Sequence, residues 1–381
     1  MNQSLQFTRY LYEKEEVNLS LMVGLLNKKE YASFWAFELF YSGYTSDLIN
    51  LLWNMYYDFY ATLNPSFEKY LFNKLKAKNM DAKMVYSIIN NFMIRPHTTD
   101  VFMLRHVTNF DFANNCDNYD KLQSFLTNED YLQMAHFILN TDDKDLLKLF
   151  TFIINYFEKV GLKLVLSKEI SSYNQIIKHD IHNKQIVLLS RVINYYTIFK
   201  KVKQGNKIFI HTNPNEIIMY ETIESDLNKQ GSHSKTPYLS ILPAYKILQL
   251  ACIYSIDEED YFSLFHLKRE KYNITNSYRE NWEYYASFTL LWQERIIKYN
   301  GKIDHNNKQV IFDTDDNQEL FYEHYGLEPD EQSLQTQDKS LKPIKQVMTW
   351  ELFYKKHKNR GIVHIEDNYL SCLKKIDYMF F

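Results

Sequence analysis

From residue 14 to about residue 160 the apolar positions recur at the alternating three- and four-residue spacing of helices, with few interruptions. EEVNLSLMVGLLNKK predicts a first helix. YASFWAFELFYSGY, residues 31 to 44, then places seven aromatic side chains in fourteen positions. Phe34, Phe37, Tyr41 and Tyr44 share one face of this second helix, while Trp35, Leu39 and Phe40 cover much of the rest. A helix apolar on nearly every side belongs inside a core, and Gly43 is placed to end it in a left-handed cap. The next helix starts at Thr45 or Ser46, with Asp47 in the first turn, where the helix dipole favours a negative charge. Its stripe of Leu48, Leu52, Met55, Phe59 and Leu63 runs to a stop at Asn64-Pro65. Further helices are predicted at SFEKYLFNKLKAK, DAKMVYSIINNFMI, TDVFMLRHV, NEDYLQMAHFILN and DDKDLLKLFTFIINYFEKV, the last ended by Gly161.

Short connections between helices of about 10 to 18 residues make successive helices antiparallel, so residues 1–160 are expected to form stacked helical hairpins, a HEAT-like array. Residues 161–235 read as a helical and irregular middle segment, with a helix near IVLLSRVINYYTIFKKV and a short strand within QGNKIFIHTNPNE. NKQGSHSKTP, residues 228 to 237, is polar, contains Gly and Ser and ends in Pro, which marks a boundary. Residues 236–381 form the C-terminal helical region, beginning with helices at ILPAYKILQLACIYSI and EEDYFSLFHLKR. Ser277 and Glu280 then offer a capping box for one long helix in which Trp282, Tyr285, Thr289, Trp292, Ile296 and Tyr299 keep a regular spacing up to Gly301. A β-hairpin is expected over 302–313, turning around His305-Asn306-Asn307. A polar loop follows over 328–345, and a last helix at VMTWELFYKKHK. The expected fold class is mainly α, with one small β-hairpin in the C-terminal region.

Composition supports the helical reading and narrows the chemistry. Gly 8 and Pro 7 in 381 residues is far below ordinary usage, which disfavours turn-rich β folds and Gly-rich phosphate loops. A net charge of −3 predicts no general basic coat. Cys116, Cys252 and Cys372 are odd in number and far apart, so neither a disulfide framework nor a C-x-x-C metal site is suggested, and a reducing compartment fits. The N-terminus has no signal-peptide core and no window is long and apolar enough to span a bilayer, so the expectation is a soluble intracellular protein with no membrane partner. The abundance of Lys, Asn, Tyr, Phe and Ile is the bias of an AT-rich genome.

Candidate chemistry is sparse. His179 and His182 stand at i, i+3, a spacing that can share a metal on a helix, but no third ligand is recognisable nearby and the segment is polar. Asp313-Thr314-Asp315-Asp316-Asn317 imitates the start of a calcium loop, yet Gln318 and His324 stand where that loop needs Gly and Glu. The common nucleotide, metalloprotease and hydrolase signatures do not occur. No catalytic residue, cofactor, metal or small-molecule substrate is therefore assigned. Two basic clusters are the candidates for RNA binding: Lys355, Lys356, Lys358 and Arg360 after Trp350, Phe353 and Tyr354, and Lys200, Lys201 and Lys203, with Lys207 beyond. Positive charge beside aromatic faces neutralises phosphates while bases stack, although solvated helix ends look the same in sequence. Tyr285, Leu290 and Leu291 in YASFTLL fit the pattern Tyr, any four, Leu, apolar, by which translation-initiation scaffolds engage a cap-binding protein. Core packing on the aromatic stripe is the plainer reading of Tyr285. Asp257, Glu258, Glu259 and Asp260 could bind magnesium in a nucleic-acid enzyme, but four consecutive acids point in different directions around a helix.

FWAFELFYSGY, YYDFYATLNP, the CIYSIDEEDYFSLF region and YGLEPDEQ together resemble helical proteins of nucleocytoplasmic large DNA viruses, over most of the chain. The resemblance carries no catalytic motif. It implies a viral protein made in the host cytoplasm. The function expected is a non-enzymatic helical scaffold or adaptor in viral gene expression, of the translation-initiation type, binding protein partners and RNA. The alternatives are a virion structural protein, or a nucleic-acid-processing enzyme whose site no motif reveals.

Overall fold

A computed structural model describes residues 5–75, 80–107, 119–178, 183–211, 213–221, 281–325 and 350–370. The boundary at 228–237, the two helices expected after it, the Ser277/Glu280 capping box, the acids at 257–260, the polar loop 328–345, His179, His182 and all three cysteines lie outside these residues.

The fold is mainly helical, with one two-stranded antiparallel sheet among the described residues, in the C-terminal region. Its helices are α1 (Lys14–Asn27), α2 (Ala32–Tyr41), α3 (Thr45–Met55), α4 (Pro65–Leu75), α5 (Ala82–Met93), α6 (Asp100–Val107), α7 (Tyr119–Asn128), α8 (Tyr131–Leu139) and α9 (Leu146–Lys159). They continue as α10 (Leu166–Ile177), α11 (Lys184–Phe199), α12 (Ile218–Glu221), α13 (Trp282–Ala286), α14 (Leu290–Lys298), α15 (Asp315–Tyr325), α16 (Trp350–His357) and α17 (Asp367–Leu370). Strands β1 (Lys302–Asp304) and β2 (Gln309–Ile311) pair Lys302 with Ile311, Ile303 with Val310 and Asp304 with Gln309. The turn between them is held by Asp304, whose Oδ1 accepts from the Asn306 and Asn307 backbone at 2.9 and 3.2 Å. Among the described residues no helix is long and apolar enough to cross a membrane.

The chain divides into two compact units, each assembled from three separate stretches: Met1–Leu48, Met80–Met93 and Ile210–Val347 in the first, Ile49–Asn79, Ile94–Phe209 and Met348–Phe381 in the second. In the first unit the aromatic helix α2 is the core, as its pattern demands: Phe34, Trp35, Phe37 and Leu39 are buried. Gly43 takes φ +87° at its end, and the Tyr44 N–H returns to the Leu39 carbonyl to close the cap. α1 packs on α2, and α2 on α5. The N-terminal segment is tied in by a buried ion pair, Arg9 Nε to Glu38 Oε2 at 2.9 Å, and by the Trp292 indole, which donates to the Arg9 carbonyl at 3.0 Å. In the second unit the core is α11, buried from Val187 to Thr197 on all but one position. Here α7 packs on α8, α9 on α10 and α10 on α11, contacts between successive helices that are compatible with stacked hairpins.

The structure corrects two expectations and adds detail to two others. The regular stripe from Trp282 to Tyr299 is not one helix but two, because Thr289 is extended (φ −93°, ψ 144°) and its hydroxyl caps the Trp292 N–H at 3.3 Å. At the end of α14 Asn300 adopts the left-handed conformation and the Gly301 N–H returns to the Ile296 carbonyl at 2.9 Å; Gly301 is needed because a Cβ there would lie 2.6 Å from Ile296 Cγ2. The segment expected as a strand, within 204–216, forms no strand among the described residues, and Pro214–Glu216 is a 3-10 turn. Its polar backbone is met by side chains instead, Arg95 donating to the Ile208 carbonyl in the second unit and Asn91 bonding both backbone groups of Ile210 in the first. Finally, the stripe that begins in α3 continues to Leu63 through a π-helical turn, Tyr56–Tyr60, where the Ala61 N–H reaches the Tyr56 carbonyl at 2.7 Å. Helices α7, α10, α12, α15 and α17 go beyond the expected elements; α15 begins where the chain imitates a calcium loop, with Thr314 Oγ1 accepting from the Asn317 N–H at 3.2 Å.

Candidate nucleic-acid interface

Both basic clusters belong to the second unit, and one corner of it, residues 95–100, anchors both. α11 ends at Lys200, and Lys201 turns the chain with φ +55°. The chain then passes so close to Asn64 and Pro96 that a Cβ on Gly205 would stand 1.9 Å from Asn64 Oδ1 and 3.1 Å from Pro96 Cδ. Gly205 N–H donates to the Leu63 carbonyl at 2.8 Å, and Asn64 Nδ2 donates to the Pro96 carbonyl at 2.8 Å. Lys200, Lys201, Lys203 and Lys207 are exposed, and Phe199 beside them is 46% exposed.

The second cluster is held by the other end of the same corner. Asp100, buried at the start of α6, accepts the backbone N–H groups of Ile362 and Val363 at 3.1 and 3.3 Å. Burial pushes its carboxyl up to about 6, and those two donors pull against the shift. Only glycine fits at 361, where a Cβ would meet Asp100 Oδ1 at 1.9 Å. The Arg360 guanidinium donates to His97 Nε2 at 3.1 Å, which fixes that nitrogen as an acceptor. His357 leaves the basic surface altogether: it is buried against Phe353 and His97, and burial, reinforced by Arg360 and Lys356, lowers its pKa to about 4. Lys355, Lys356, Lys358 and Arg360 remain exposed. Lys355 pairs with Glu351, and Lys200 pairs with Glu129, so the charge offered to a polyanion falls most fully on Lys201, Lys203, Lys358 and Arg360.

A polar cleft in the same unit was missed by the sequence reading. It has a volume of about 180 Å³ and is lined by Tyr56, Glu68, Glu169, Ser172, Arg191 and Tyr195 among others. Arg191 on α11 donates to Glu68 Oε2 on α4 at 2.6 Å and to Ser172 Oγ on α10 at 3.2 Å, and its second terminal nitrogen lies 4.0 Å from Glu169. Burial works against the Arg191 charge, but Glu68 and its neighbours more than offset it, so the pKa rises. Tyr57 from the π-turn donates to Glu68 at 3.2 Å, and Tyr195 donates to Glu169 at 2.8 Å. One sequence hint existed: Arg191 is the one charged residue between Ile186 and Phe199, in a helix that must be buried.

Tyr285, Leu290 and Leu291 lie in the first unit and are not presented by one helix. Tyr285 is half-buried in α13, its ring against Phe7 and its carbonyl accepting the Phe7 N–H at 2.9 Å. Leu290 opens α14 at 65% exposure and Leu291 is half-buried. No protein-family model, curated protein or solved structure matches the chain.

Proposed function

We propose that this protein is a non-enzymatic helical scaffold of viral gene expression in the host cytoplasm, which binds single-stranded RNA on the second unit together with protein partners. The observation that carries the reading is that the chain at Gly205, just after Lys201 and Lys203, and the segment bearing Lys358 and Arg360 both pack on residues 95–100, although about 150 residues separate them in sequence. Electrostatic binding needs several cations within reach of successive phosphates, and a half-exposed Phe199 beside them offers a face on which a base can stack. A uridine oligonucleotide labelled for fluorescence anisotropy should bind with an affinity that falls as salt rises. Lys201→Glu/Lys203→Glu and Lys358→Glu/Arg360→Glu should each weaken it, and the salt slope should fall by roughly one for each phosphate no longer neutralised. Binding indifferent to both pairs of changes, or none, overturns the reading. The translation-initiation version rests on Tyr285, Leu290 and Leu291, and the break at Thr289 counts against these residues as a single binding helix. Co-purification from infected cells tests that version, and recovery only within particles would favour the virion role.

A further inference from the structure

We infer that the Arg191 cleft receives one guanine base of the bound RNA, an assignment that rests on the RNA reading above. Size sets the first limit. At about 180 Å³ the cleft exceeds the roughly 150 Å³ that holds one benzene ring, and falls below the usual range for larger ligands, so it suits a single planar ring system entering through an open mouth. Charge sets the second. Two carboxylates, Glu68 and Glu169, face one guanidinium, which disfavours a phosphate in the cleft and leaves a neutral group of mixed donors and acceptors as the ligand.

Hydrogen-bonding capacity then selects among bases. Arg191 spends Nη2 on Glu68 and Ser172, while Nη1 approaches Glu169 no closer than 4.0 Å, so N–H capacity at Nη1 remains for an oxygen or nitrogen acceptor. Glu169 is held by Tyr195 through Oε2 and is a quarter exposed, which leaves acceptor capacity toward the mouth. A site with two carboxylates beside one guanidinium therefore offers acceptors for two adjacent N–H groups and a donor for a neighbouring acceptor. Guanine alone among the four bases presents two adjacent donors, N1–H and the N2 amino group, next to the O6 acceptor, and arginine is the usual partner of O6 and N7. Adenine and cytosine carry one donor group on that edge, and uracil carries one donor between two acceptors. Tyr56, Tyr195 and Pro65 supply walls for the ring. The route is short as well: Asn194 at the cleft donates to Gln204 Oε1 at 3.3 Å, and Gln204 follows Lys203 directly.

The test is calorimetric titration of the full chain with the four ribonucleosides. Guanosine should bind at least about tenfold more tightly than the other three, as the loss of one well-made base contact implies. Glu169→Gln, at the partly exposed carboxylate, and Ser172→Leu, which fills the mouth, should each weaken guanosine about tenfold or more while leaving salt-dependent binding of a uridine oligonucleotide within about twofold. Equal binding of the four nucleosides, or none, overturns the assignment even if the basic segments bind RNA. Guanosine preference with oligonucleotide binding that ignores the basic segments would instead overturn the RNA reading and keep the cleft.

Discussion

Glu283 shows how far a single residue departs from what its letter suggests. It stands in the first turn of α13, where a carboxylate normally faces water, yet it is 5% exposed and accepts the Tyr322 hydroxyl. Burial pushes its carboxyl up to about 8, so it holds a proton at neutral pH. A raised folded-state value stabilises the fold fully below the ordinary carboxylate range, and that contribution is lost as pH rises through about 8. Denaturant stability should therefore decline between about pH 5 and pH 9, and Glu283→Gln should flatten that decline; parallel curves for the two proteins would refute it. Glycines divide in the same way. Gly43 and Gly161 were legible as helix ends, because a left-handed cap is a local device, and both take positive φ. The need for glycine at 205 and 361 was not legible, since it comes from Asn64 and Asp100, distant in sequence.

Among the elements, long apolar periodicity suffices wherever the period alone decides. The helices expected at α4, α5, α6, α8, α9, α11 and α16 are present. The Trp282–Tyr299 stripe misleads because spacing does not report a break when both halves bury the same face: Trp282, Trp292 and Ile296 are all buried. What breaks it is the Thr289 hydroxyl, which competes for the backbone it caps. Thr289→Val keeps the shape of this fully buried side chain and removes the cap, and should cost about 1 kcal/mol in equilibrium urea unfolding. An unchanged midpoint would show that packing alone sets the break. The π-turn at Tyr56–Tyr60 is hidden for a related reason. Its extra residue per turn matters only through where it aims Tyr57 and Asp58, toward Glu68 and Arg105, at 3.2 and 3.0 Å.

At the scale of the molecule, each unit draws its core from stretches far apart in the chain. Residues 1–160 hold α1 to α9 but lack α11, the buried helix of the second unit, and Trp292, which secures Arg9 in the first. A fragment of residues 1–160 should accordingly keep much of its helical far-ultraviolet signal and lose near-ultraviolet signal and cooperative unfolding. A sharp transition at the midpoint of the whole protein would refute this. The sequence by itself determined the helical class, the small hairpin, the buried aromatic helix and the two basic segments, because period, capping and charge act over a few residues. Only the tertiary structure decided that the segments of Gly205 and Arg360 share an anchor, that His357 is withdrawn from the basic surface, and that Glu68, Glu169 and Arg191 line one cleft. Those groups meet through contacts spanning tens to hundreds of residues, and burial, which no local pattern encodes, then sets their charge and their use.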